Sequence, residues 1–259
     1  MPPRLLSGIC LALFATWGAL AAQEQYGAKR INLEIGKHKG FILEPAQPGP
    51  AGQRPWVWYA PTIGSYPNKS NEWVLKMLLD KGFYVAGVDV GESYGSPAGR
   101  KVFSDFHRHV VDEYKLEPKA RLLPQSRGGL MMYNWAAENP EKVKCIAGIY
   151  PVCDLRSYPG LAKAAGAYGL SADDLAKQLT THNPIDRLAP LAKAGVPILH
   201  IHGDADNVVP LDKNSQVVHD RYRELGGAMQ LIVIAGKGHA EIPAYFQEPR
   251  IVQFLLDGK

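Results

Sequence analysis

Polar and apolar positions change rhythm in a regular order along the chain. INLEIGK (31–37) and KGFILEP (39–45) predict a β-hairpin, and after a Pro/Gly-rich turn (PAQPGPAGQRP) comes the apolar run WVWYA (56–60). NEWVLKMLLDKG (71–82) has apolar positions at helical spacing and closes on Gly82, while FYVAGVDV (83–90) is an unbroken apolar run of strand length. FSDFHRHVVDEYKL (103–116) returns to helical spacing, RLLP (121–124) predicts a short strand, and LMMYNWAAENPEK (130–142) predicts a helix behind it. Strands follow at VKCIAGIYPV (143–152), PILHIHG (197–203) and MQLIVIAG (229–236), with helices over NSQVVHDRYRELGG (214–227) and EPRIVQFLLDGK (248–259).

Strands alternating with helices predict βαβ units, and continuous Val/Ile/Leu runs predict strands covered on both sides. The expected fold class is therefore α/β: a doubly wound, mostly parallel sheet of about eight strands with helices on both faces and an antiparallel start. Residues 155–195 break the alternation, with helical pieces and no strand signal between the sixth and seventh strand runs. An insert after a strand end lies near the ligand crevice of an open sheet. This small helical insert is expected to be lid-like, with surface packing as its other reading.

Composition narrows the picture. With 259 residues, 46% hydrophobic and 21% charged, the chain suits one domain over residues 23–259 with a sizeable core. A net charge of +4 with no basic tract gives no reason to expect a nucleic-acid partner. Residues 1–22 read as a secretory signal peptide: Arg4, the apolar stretch LLSGICLALFATWGAL, and small residues at ALA (19–21). The apolar run is short of the roughly 20 residues that span a bilayer, so a secreted or periplasmic protein with no membrane span after cleavage is expected. Cys145 and Cys153 bracket a strand-like run that would separate them by about 26 Å, beyond disulfide reach unless the chain folds back.

In an open α/β sheet, reactive groups gather at the carboxyl ends of strands. The fifth strand run ends in PQSRGG with Ser126, the seventh in HGDADNVVP with Asp204 and Asp206, and the eighth is followed by GKGHAEIP with His239. A serine hydroxyl is a weak nucleophile until an imidazole accepts its proton, and that imidazole needs a carboxylate to fix its tautomer. Ser, Asp and His in this order match an acyl-transfer triad on such a sheet. Glu92 and Tyr94 in VGESYGSP, and Tyr150 at a strand end, lie on the crevice side as candidate substrate-binding residues, with turn duty as the alternative for the first two. Tyr59 and Tyr158 join Tyr94 and Tyr150 as aromatic candidates for stacking on a sugar or aryl ring. His107 and His109, two apart on a helix, cannot share a metal, and His200 with His202 lacks a third ligand. No metal site is predicted, and no dinucleotide or P-loop motif is present in the sequence.

The strand order together with PQSRGG, HGDADNVVP and GKGH resembles the α/β-hydrolase superfamily from about residue 30 to 256. The resemblance implies Ser126 as nucleophile, His239 as general base and acid, and Asp206 as orienting carboxylate, with Asp204 as the competing acid. It also implies an oxyanion hole built from the Arg127 backbone N–H and a donor in APTIG, Thr62 or alternatively Ile63. Pro124 stands where the family's G-x-S-x-G elbow has its first glycine, so the corner is expected to be built differently. The implied activity is cofactor-free cleavage of a carboxylic ester on a small molecule or carbohydrate through an acyl-enzyme. The same blocks resemble the catalytic domain of the prolyl oligopeptidase family, which makes peptidase action the alternative. A non-catalytic binding protein on a hydrolase scaffold is the third reading.

Overall fold

The computed structural model describes residues 23–47, 49, 52–64 and 66–259, so the signal expected over residues 1–22, with Cys10 inside it, lies outside the described residues. In chain order the strands are β1 (Glu24–Gln25), β2 (Ala28–Ile35), β3 (His38–Glu44), β4 (Trp56–Ala60), β5 (Tyr84–Val88), β6 (Ala120–Pro124), β7 (Val143–Ile149), β8 (Ile198–Gly203) and β9 (Met229–Ile234). Among the described residues they form one sheet in the order β1-β2-β3-β5-β4-β6-β7-β8-β9. β2 and β3 make the expected hairpin, β3 joins β5 antiparallel, and every pair from β5 through β9 is parallel. The strand beyond the expected set is β1, whose two residues pair with Ala28 and Lys29 and are too short to leave a pattern.

The helices are α1 (Glu72–Leu79), α2 (Pro97–Asp112), α3 (Gly128–Glu138), α4 (Leu161–Tyr168), α5 (Ala172–Lys177), α6 (Leu179–His182), α7 (Ala189–Lys193), α8 (Ser215–Glu224), α9 (Pro243–Phe246) and α10 (Pro249–Asp257). They cover both faces, and alternate residues of one strand show the division. Trp56, Trp58 and Ala60 of β4 pack with Phe103 and Phe106 of α2, Trp135 of α3 and Tyr222 of α8. Val57 and Tyr59 face the other way, into a core shared with Leu75 and Leu78 of α1 and Phe254 and Leu255 of α10. Trp58 sits at the centre of the first layer, with its ring 4.8 Å from both Phe103 and Trp135. A residue covered on both sides has no polar face to alternate with, which is why the central strands read as continuous apolar runs.

α2 begins at Pro97, six residues before the periodic pattern that starts at Phe103. Ser96 caps it by accepting from the Gly99 N–H, and Pro97 fits the first turn, where no N–H partner is needed. The insert forms α4 to α7 and carries its own small core, in which Leu155, Ala164 and Leu175 gather with Leu130 of α3, Tyr94 and Val209. No described helix is long and apolar enough to cross a membrane. In the parallel ladders Ala60 stands beside Pro124 and Gly203 beside Ile234, so the chain leaves β4, β6, β8 and β9 along one rim of the sheet.

Candidate active site

The corner after β6 is strained, and the surrounding backbone holds it. Ser126 has φ +48°, a left-handed conformation that L-residues other than glycine rarely adopt. Its N–H donates to Ile149 O at 3.0 Å, and its C=O accepts from Val152 N at 2.8 Å and Gly129 N at 2.9 Å. Gln125 N–H donates to Ala60 O at 2.8 Å, so the ladder to β4 resumes immediately past Pro124. Proline at the first elbow position therefore leaves the sharp corner in place. The two glycines behind it are needed for space: a Cβ at Gly128 would lie 2.2 Å from Ala60 O, and one at Gly129 2.3 Å from Val152 O. Ser126, Gly128 and Gly129 all have acceptors for their N–H groups, while that of Arg127 has none among the described residues.

Ser126 Oγ lies 3.0 Å from His239 Nε2, and His239 Nδ1 lies 2.7 Å from Asp206 Oδ2. Burial works against the charge of Asp206, but hydrogen bonds from His202, His239 and the Val209 N–H outweigh it and hold the carboxyl well below the usual carboxylate range. An ionised carboxylate only accepts, so His239 Nδ1 carries the proton and the Nε2 lone pair faces the serine hydroxyl. Asp206 Oδ1 takes the N–H groups of Val208 and Val209 at 3.0 and 2.8 Å. Behind Asp206, the buried His202 lies with Nε2 3.4 Å from Oδ2 while bonding to Val209 O at 2.8 Å. Asp204, the competing acid, instead accepts the Gly236 N–H at 2.6 Å and so ties the loop after β9 to the end of β8. The Tyr150 ring supports the imidazole, with centroids 4.3 Å apart.

A cavity of about 300 Å³ opens beside Ser126, walled by Pro61, Tyr66, Tyr150, Tyr158, Val208 and Glu241 among others. Several expected neighbours are elsewhere. Thr62 turns its hydroxyl back to Tyr59 O at 3.3 Å, and with Ile63 it lines an adjoining cavity of about 600 Å³. The member of the APTIG loop that borders the Ser126 pocket is Pro61, which has no N–H to give. Glu92 forms an ion pair with Arg127, and both border a hollow next to the pocket. Tyr94 and Tyr59 are buried, the former beneath the insert with its carbonyl accepting from Tyr168 at 2.7 Å. Tyr158 is the contribution of the insert to the pocket wall, while α4 packs against α2, α7 against α3, and the turn at Pro184–Asp186 against α3 and α8.

The sequence did not single out Gln125, Tyr66 or Glu241. Gln125 is buried, and its Oε1 accepts from Tyr59 at 2.7 Å and Asn71 at 2.9 Å. Glu241 takes the Tyr66 hydroxyl at 2.6 Å, and this bond, with partial burial, raises the Tyr66 phenol to about 12. The available signal was position alone: one residue before the corner serine, two after the histidine. Among the described residues no cluster of His, Cys, Asp and Glu is arranged to hold a metal ion. Cys145 and Cys153 are free and buried on opposite faces of the sheet.

A model described as the prolyl oligopeptidase family matches residues 103–255, more than half of the chain and a span that includes Ser126, Asp206 and His239. No curated protein sequence matches significantly. Solved structures share the α/β-hydrolase fold at low identity. Porphyromonas gingivalis dipeptidyl peptidase 4 aligns with TM-score 0.71 and 16% identity, covering 89% of this chain and 35% of that one. The S-formylglutathione hydrolase of Agrobacterium tumefaciens aligns with TM-score 0.68 and 15% identity, covering 92% and 95%. Pyrococcus horikoshii acylaminoacyl peptidase aligns with TM-score 0.66 and 15% identity, covering 88% and 41%. The chain thus spans about a third of the dipeptidyl peptidase's length.

Proposed function

We propose, since the chain belongs to the prolyl oligopeptidase family of serine hydrolases, that it cleaves a carboxylic ester through an acyl-enzyme on Ser126. The observation carrying this reading is the unbroken chain Ser126 Oγ, His239, Asp206 at 3.0 and 2.7 Å, with an unpartnered N–H on the next residue. Ser126 Oγ attacks the substrate carbonyl carbon as its proton passes to His239 Nε2. Asp206 stabilises the imidazolium through Nδ1–H. The carbonyl oxygen becomes an oxyanion, held by the Arg127 N–H and the positive end of α3. His239 then gives the proton to the leaving oxygen, and water repeats the sequence to release the acid. A general base contributes on the order of 10² to 10⁴ to such a rate, and one oxyanion donor about 10² to 10³.

The 300 Å³ cavity beside Ser126 suits a small acyl group better than a long chain. Stacking on a sugar or aryl leaving group would fall to Tyr66 and Tyr158, since Tyr59, Tyr94 and Tyr150 are buried. Peptide-bond cleavage is the second reading, and the family match is the observation that favours it. Turnover of p-nitrophenyl acetate measured beside a panel of aminoacyl-β-naphthylamides separates the two. Hydrolysis of the acetate supports ester cleavage, and activity confined to the amides would overturn it.

A further inference from the structure

We propose that Glu241 is a positioning residue for His239: a carboxylate clamp that fixes the loop carrying the imidazole against the loop after β4 and against the residue preceding Ser126. The proposal rests on the reading of Ser126 and His239 as nucleophile and base. His239 lies in the connection between β9 and α9, which has no regular structure of its own. On its N-terminal side that connection is tied to the end of β8, through Gly236 N–H to Asp204 at 2.6 Å and Ala205 N–H to Lys237 O at 3.1 Å. On its C-terminal side the Tyr245 hydroxyl of α9 donates to Gly238 O at 3.0 Å, and the tie to the loop after β4 and to Gln125 is the Glu241 side chain.

All four lone-pair positions of that carboxylate are taken by the protein. Oε1 accepts from Tyr66 at 2.6 Å and, more weakly, from Gln125 Nε2 at 3.5 Å; Oε2 accepts from Asn68 Nδ2 at 2.9 Å and Ser70 Oγ at 2.8 Å. A carboxylate offers about four such positions, so Glu241 has none left for a substrate ammonium, although it borders the pocket. Its partners are themselves fixed. Asn68 caps the Ser70 N–H at 2.9 Å, and Asn71 and Tyr59 hold Gln125 from the buried side. The path from Ser126 through Gln125, Glu241 and Ala240 to His239 therefore closes on itself, and the 3.0 Å separation of hydroxyl and imidazole is set from both ends. The same hydrogen bonds outweigh partial burial and keep Glu241 ionised below the usual carboxylate range.

Glu241→Gln turns one acceptor oxygen into an NH₂ donor facing donors already in place. With p-nitrophenyl acetate, or with the amide if only that is cleaved, kcat is expected to fall about 10- to 100-fold while KM stays within about two-fold, as for a misplaced but intact reacting pair. The rate of labelling by a fluorophosphonate probe should fall in parallel. Ser70→Ala removes one donor to Glu241 without bordering the Ser126 pocket, and should lower kcat and labelling in the same direction by less. A variant Glu241→Gln that labels at the wild-type rate would overturn the proposal, as would a rise in KM confined to cationic substrates, which would make Glu241 a substrate subsite. Should circular dichroism show Glu241→Gln unfolded, Ser70→Ala decides, and an unchanged labelling rate there overturns the clamp. A wild type that takes no label overturns the serine-hydrolase reading and the clamp together.

Discussion

Ser126 is asked for two things that conflict: a side chain that can react and a backbone angle that side chains resist. Left-handed backbone costs about 1–2 kcal/mol for a residue with a Cβ, and here the bonds to Ile149, Val152 and Gly129 impose it. Ser126→Ala keeps the strain and should lower turnover by on the order of 10⁴-fold or more, with stability within about 1 kcal/mol of wild type. Ser126→Gly should be equally inactive but melt higher than Ser126→Ala, by about 2–4 °C for each kcal/mol released. Equal melting temperatures would show that the corner is unstrained. Asp206 gives a pH signature. Its folded carboxyl titrates below its unfolded value, so its contribution is fully present above about pH 4 and is lost as pH falls further. The melting difference between wild type and Asp206→Asn should therefore narrow as pH drops below about 4. A gap that widened there would contradict the ionised, hydrogen-bonded state.

At the scale of elements, α3 is set against β4 and the turn after β7 by the absence of two side chains. Gly128→Ala or Gly129→Ala would press a methyl onto a backbone oxygen at 2.2 or 2.3 Å, where nothing can rotate away. Each should cost about 2–3 kcal/mol by overpacking and lower Tm by several degrees, measured by calorimetry. A Tm within a degree of wild type would mean that α3 can slide. These glycines stand side by side in PQSRGG, directly behind the corner, where the close packing leaves no other residue type. The central strands were legible too: WVWYA has no polar face, and PILHIHG has strand length and an apolar run although it turns the buried His200 and His202 to one face. The start of α2 was not, since Pro97, Ala98 and Gly99 carry no apolar period and only the Ser96 cap marks it. The surroundings of Thr62 were not legible for a related reason. The sequence gives the order of residues in the loop after β4 but not its path, and the path puts Pro61 at the pocket and Thr62 in the next cavity. Gln125 and Glu241 left no pattern because their roles come from partners more than 50 residues away in sequence.

For the molecule as a whole, one sheet separates two apolar layers, and a buried thiol reports on each. Burial pushes Cys145 up to about 12 in one layer and raises Cys153 well above its usual value in the other. Neither should react with Ellman's reagent in the native protein at pH 8, and under increasing denaturant both should become reactive in one transition, as expected if both layers are lost together. Separate transitions would mean that one layer unfolds alone. The same sheet brings the ends of β6, β8 and β9 to one rim, which is how Ser126, Asp206 and His239 meet from positions up to 113 residues apart. The most direct measurement of that convergence is mass-spectrometric mapping of the adduct formed with a fluorophosphonate probe. A single adduct on Ser126, lost or slowed by orders of magnitude in His239→Ala, is the result expected; no adduct, an adduct on another residue, or undiminished labelling in His239→Ala would contradict it.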